Sequence, residues 1–121
     1  MYKYNLVTPA LVQKLAAIVG ENNVTVDSEK MEPYGHDEVT DTRYHHMPEV
    51  VVFAQNAEQV AQVVKLANEE LVPVVPRGAG TGLACGAVPI FGGIVLSLEK
   101  MNRIIEVNTD SLHMVAHPGV R

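Results

Sequence analysis

Apolar residues first recur at helical spacing at Leu11, Leu15, Ile18 and Val19. Thr8 and Pro9 stand just before them, a capping side chain followed by proline at the first helical position. Gly20 supplies the stop, and the pattern predicts a helix over 9–19. Residues 21–48 keep no period. They are mixed and polar, and read as loop with one short helical turn.

At Pro48 the character changes. Residues 48–54, "PEVVVFA", predict a strand. Asn56 then caps a second helix with Gln59 placed for a capping box, and Val60, Val63, Val64, Ala67 and Leu71 form its expected buried face. Residues 72–76, "VPVVP", predict the next strand. Strand, helix and strand at these lengths make a βαβ unit with parallel strands, and their unbroken apolar character predicts cover on both faces. Residues 92–102 read as a strand ending in a polar turn. Residues 103–120 read as two strands joined through Asn108, Thr109 and Asp110.

Composition narrows the classes. The chain has 121 residues, 47% of them hydrophobic, which suits one modest core and not a disordered segment. A formal net charge of -5 with no basic run argues against a nucleic-acid or anionic-membrane surface. The single cysteine, Cys85, excludes an intrachain disulfide and a cysteine-based zinc site, and fits a reducing compartment. The sequence has neither a signal-peptide pattern nor an apolar run of about 18 residues. A cytoplasmic location is the expectation, with a peripheral place at the membrane left open for a full-length protein. The last residues stop in a strand leading into a turn, which predicts a domain cut from a longer protein.

The densest signal is 74–87, "VVPRGAGTGLACGA". Six of the nine glycines lie between Gly78 and Gly93, and Arg77 is the only charged residue from Leu71 to Leu98. Glycine lets backbone N–H groups approach a ligand closely, and successive N–H groups form an anion-binding nest. A strand opening into such a loop is where α/β sheets place ligands. The physical reading is a main-chain cradle for phosphate or pyrophosphate. The alternative is a structural loop with Arg77 merely solvated. A P-loop is excluded, because no lysine falls between Lys65 and Lys100. A dinucleotide fingerprint begun at Gly78 and Gly80 meets Leu83 where its third glycine belongs, and Gly86 with Pro89 breaks any following helix.

Other residues read more plainly. His45 and His46 are adjacent and make a poor chelate. His113 and His117 lie about 13 Å apart along one face of a strand. These are surface or loop histidines, and no metal site is expected. Cys85 reads as a small thiol without a nearby base. Asp37, Glu38, Asp41 and Arg43 read as a solvated loop face. Arg77, alone in an uncharged loop, calls for a phosphate oxygen or a carboxylate as partner.

Residues 48–89, then 92–107, then "AHPGV" at 116–120 resemble the FAD-binding domain of the FAD-linked oxidases, the vanillyl-alcohol-oxidase or PCMH type. The nearest branch is that of glycolate oxidase and D-lactate dehydrogenase, and "YGHD" at 34–37 resembles it too. The resemblance implies an α/β (α+β) fold of short parallel strands with flanking helices, followed by the start of a second subdomain. It divides the chain into an N-terminal helix and loop segment, 1–47, and an incomplete FAD-binding domain, 48–121. It implies that Pro76, Arg77, Gly78, Ala79, Gly80, Thr81 and Gly82 wrap the FAD pyrophosphate, while Pro118, Gly119 and Val120 line the flavin. Some relatives attach FAD through a histidine in the glycine loop. Thr81 stands at the matching place, so the implied FAD is non-covalent. The branch usually reads Gly-Leu-Ser-Gly-Gly-Ala, whereas this chain has Ala84 and Cys85 at the third and fourth places. If that backbone has positive φ, Cys85 carries strain.

The implied parent enzyme oxidises a small 2-hydroxy acid of glycolate or D-lactate type. Its substrate residues lie in a cap domain beyond these 121 residues, so no catalytic residue is expected here and the fragment alone should be inactive. A homo-oligomer or the companion subunits of an oxidase complex remain open. The alternative is a non-catalytic α/β module that binds a phosphate-bearing ligand or another protein chain.

Overall fold

Thr8 caps the first helix, α1 (Pro9–Val19), its Oγ1 accepting from the Leu11 N–H at 3.2 Å. Gly20 ends α1 at φ 95°, donating back to the Ala16 carbonyl. The computed structural model describes residues 3–121. After α1 come a 3-10 turn (Glu21–Asn23), β1 (Val24–Thr25), the short helix α2 (Ser28–Met31) and two further 3-10 turns, Glu32–Gly35 and Thr42–Tyr44. Next are β2 (Val50–Phe53), α3 (Ala57–Glu69), β3 (Val74–Arg77), β4 (Ile94–Ser97), β5 (Ile104–Asn108) and β6 (His113–Ala116). The stretch 21–48 therefore holds more regular structure than its aperiodic sequence suggested.

α3 starts as its capping residues dictate. Asn56 accepts from the Gln59 N–H, and the Gln59 side chain reaches back to the Gln55 N–H, both at 2.9 Å. Its buried face is narrower than expected. Val63 and Ala67 are buried, Val60 is half-buried, and Val64 and Leu71 are exposed. Leu71 lies beyond the helix at φ 54° and belongs to the turn into β3.

The four-stranded sheet has the order β1-β2-β4-β3. β2 and β3 both run parallel to β4, so β2-α3-β3 is a parallel crossover unit with β4 inserted between its strands. β1 pairs antiparallel with β2 and brings the N-terminal segment into the same sheet. α1 and α3 cover one face over Val50, Val52, Ala54, Ile94 and Leu96. Met31 and Tyr34 cover the other, over Val51, Phe53, Val75 and Val95. β2 and β4 are thus buried on both sides. β3 is the edge strand and stays half-exposed, which accommodates Pro76 in the ladder.

β5 and β6 form a separate antiparallel hairpin with a bulge between Ile104 and Glu106. Its turn is held by Asn108, whose Oδ1 accepts from the Asp110 and Ser111 N–H groups. Among the described residues, no helix is long and apolar enough to cross a membrane.

Candidate functional site

The carboxyl ends of β2, β4 and β3 lie side by side, tied by Ala54 N–H to the Ser97 carbonyl and by Leu98 N–H to the Arg77 carbonyl. The glycine loop leaves the sheet there, at the end of an edge strand. Gly78 is half-buried, and Ala79, Thr81 and Gly82 are exposed. The segment Pro118–Val120 arrives at the same end. The Gly119 N–H donates to the Met101 carbonyl at 2.8 Å, and a Cβ on Gly119 would land on the Leu98 carbonyl oxygen. The Pro118 carbonyl oxygen sits 3.7 Å from the place of a Gly78 Cβ. The fold therefore brings together the two segments that sequence separates by some forty residues. Beside them an open cleft of about 720 Å³ is lined by Glu99, Lys100, Asn102, Gly119 and Val120, among others.

Within the loop, bare backbone has two origins. Gly80 sits at φ 73°, and a Cβ there would fall on the Arg77 guanidinium. The chain's own packing demands glycine at that position. At Gly82 and Gly86 a Cβ would meet nothing within 4 Å, so internal packing does not account for the missing side chains. No backbone N–H from Ala79 to Ala84 donates to another described residue. That leaves a run of main-chain donors in a loop with no charged side chain of its own, a donor set suited to an anion with several oxygens.

Arg77 is placed differently from the expectation. It is buried, at 8% exposure, and its partners are backbone carbonyls, not a phosphate oxygen or a carboxylate. Nη1 donates to the His36 carbonyl at 2.7 Å and Nη2 to the Pro33 carbonyl at 2.9 Å. The guanidinium carbon also lies 5.4 Å from the Tyr34 ring centroid. Burial pushes the guanidinium below its ordinary value, against the pull of Tyr34, Asp37 and Glu99. It stays charged. Sequence could mark the lone charge, but its acceptors lie on a loop 41 and 44 residues upstream.

Tyr34 continues the brace. Its hydroxyl donates to Glu99 Oε1 at 3.1 Å, and its ring meets Phe53 edge-on at 5.7 Å. Burial first, then the charge and hydrogen bond of Glu99, push the phenol up to about 12. Arg121 stands 3.7 Å from the other Glu99 oxygen. A chain of contacts thus runs from Arg77 through Tyr34 and Glu99 to the residue after Val120.

Asp37 is the residue that sequence reasoning missed. Asp41 and Arg43 do form an exposed pair, but Asp37 is buried at 6% exposure. Its Oδ2 accepts from the Cys85 N–H at 2.8 Å and its Oδ1 from the Val39 N–H at 2.9 Å. The Glu38 N–H donates to the Gly82 carbonyl at 3.1 Å. The signal was an aspartate two residues before Val39, an Asx-turn spacing. Cys85 stands at φ 58°, the left-handed region that costs a residue with a Cβ roughly 1–2 kcal/mol. Burial and, secondarily, Asp37 push its thiol up. His117 lies in the loop after β6, half-buried, and its Nδ1 is buried and finds no partner among the described residues. Among those residues no three His, Cys, Asp or Glu are grouped to hold a metal.

Residues 48–121 match the family model described as FAD binding domain. The chain belongs to this FAD-binding-domain family. Over 98% of its length it is 43% identical to D-lactate dehydrogenase of Anaerostipes hadrus, covering 25% of that protein. Over 95% it is 30% identical to glycolate oxidase subunit GlcD of Bacillus subtilis (strain 168), covering 24% of it. Crystalline p-cresol methylhydroxylase with substrate bound superposes on 90% of the chain with a TM-score of 0.78 and 35% identity, using 22% of that chain. The chain spans about a quarter of the length of the curated relatives it matches. The mixed α/β class and the family resemblance read from sequence both stand, and FAD is the cofactor that membership in this FAD-binding-domain family brings. The residues present fit it: unpaired N–H groups from Ala79 to Ala84 and open space over Gly82 and Gly86 suit a pyrophosphate.

Proposed function

We propose that the chain is the FAD-binding portion of a flavin-dependent dehydrogenase or oxidase of a small 2-hydroxy acid. The observation that carries the reading is the run of unpaired main-chain donors from Ala79 to Ala84 at the carboxyl ends of parallel strands. The names of the relatives, D-lactate dehydrogenase and glycolate oxidase, support the hydroxy-acid class.

In this reading the segment from Pro76 to Gly82 holds the FAD pyrophosphate through its backbone, with Arg77 acting from beneath the loop. Pro118, Gly119 and Val120 line the flavin side. Bound there, the flavin would supply two-electron redox chemistry. This chain orients it and contributes no proton-transfer residue. Binding is non-covalent, because Thr81 offers no imidazole for attachment. The substrate residues belong to the remainder of a longer protein, so the chain alone binds cofactor without turnover.

Titrating the chain with FAD under flavin fluorescence tests this. Saturable binding that Gly80→Val weakens, with flavin released on denaturation, supports the reading. Absence of binding at millimolar FAD overturns it for the chain alone. Flavin that stays attached through denaturation overturns the non-covalent assignment.

A further inference from the structure

We infer that Asp37 is a positioning residue for the glycine loop, a latch that holds Cys85 in its left-handed conformation and thereby presents the Ala79–Ala84 donors. The inference rests on the pyrophosphate reading proposed above. Three observations carry it. Asp37 is buried, and its carboxylate reaches the loop at one atom only, the Cys85 N–H at 2.8 Å. Cys85 has φ 58°, a conformation that a residue with a Cβ does not keep unaided. The loop from Ala79 to Ala84 has no internal hydrogen bond of its own. It is held from outside at three points: Arg77 beneath it, the Glu38 N–H on the Gly82 carbonyl, and Asp37 at its far end.

The chemistry suits a latch. A buried carboxylate accepting from backbone N–H groups makes hydrogen bonds about twice as strong as neutral ones. One oxygen fixes Val39 and the other fixes Cys85, so the carboxylate ties the loop to a strapped turn. Asparagine cannot substitute, because its amide nitrogen would face one of the two N–H donors. Glycine at position 85 would hold positive φ without strain and make the latch dispensable.

The test is a double-mutant cycle on the chain, reading FAD affinity and hydrogen exchange at the residue 85 amide. Asp37→Ala and Asp37→Asn are each expected to weaken FAD binding about tenfold, the scale of one hydrogen bond to a charged group. Both should speed exchange at the Cys85 amide. Cys85→Gly alone should bind at least as well as the parent chain. Asp37→Ala combined with Cys85→Gly should regain most of the lost affinity. Equal losses from Asp37→Ala in both backgrounds would overturn the latch, as would unchanged exchange at residue 85. If Asp37→Ala fails to fold, Asp37→Asn and the exchange rates carry the same decision. Should the parent chain bind no FAD, the pyrophosphate reading fails, and the presentation role falls with it even if exchange shows that Asp37 holds Cys85.

Discussion

The guanidinium of Arg77 occupies the space that any side chain at Gly80 would need. The two residues form one unit: the arginine holds the Pro33 and His36 carbonyls only because the loop above it is bare. Gly80→Ala should therefore cost about 2–3 kcal/mol, from positive-φ strain together with displacement of Arg77. Arg77→Lys should cost about 2 kcal/mol, because a single ammonium cannot serve both carbonyls in the planar fork geometry. Urea unfolding checks both, and the double variant should lose less than the sum.

Tyr34 links this unit to Glu99, and its phenol is pushed up to about 12. The unfolded tyrosine ionises near 10 while the folded one still holds its proton. Stability is therefore fully present below about pH 10 and is lost as pH rises toward 12. Tyr34→Phe should remove this component and cost about 1 kcal/mol at neutral pH for the lost bond to Glu99. Absorbance titration of the phenols should show a late-ionising component, from Tyr34, that disappears in the variant.

The Cys85 thiol is pushed up by burial and by Asp37, so its thiolate fraction at neutral pH falls below that of a free cysteine. Alkylation by iodoacetamide at pH 8 should run slower than for a cysteine peptide. Asp37→Ala should speed it. A rate equal to the peptide's in both chains would contradict the assignment.

The Asn56 cap holds the start of α3 through the Gln59 N–H. Asn56→Ala should cost about 1 kcal/mol of stability, measured by thermal or urea unfolding, and leave FAD affinity unchanged.

Elements bounded by local chemistry were legible in the sequence. Thr8 with Pro9, Asn56 with Gln59, and the Asn108 turn each show in a few adjacent residues, and the structure keeps all three. The order of strands was not legible, because unbroken apolar runs do not say that β4 lies between β2 and β3. Val64 and Leu71 fitted a helical face by spacing alone, yet the sheet reaches only Val63, Ala67 and their neighbours. Within the site, the glycine cluster stood out by composition. The roles of Arg77 and Asp37 did not, since both depend on partners 41 and 48 residues away. The strain at Cys85 was conditional on a positive φ there, and the backbone has it.

The central claim is that main-chain N–H groups from Ala79 to Ala84 hold a pyrophosphate. The most direct test is to follow the backbone amide resonances of the isotopically labelled chain as FAD, and separately riboflavin, is added. The account predicts that FAD shifts the amides of Ala79 to Ala84, with those of Gly119 and Val120, and that riboflavin leaves the loop amides in place. Loop shifts of equal size with riboflavin, or FAD shifts that leave Ala79 to Ala84 untouched, would contradict it.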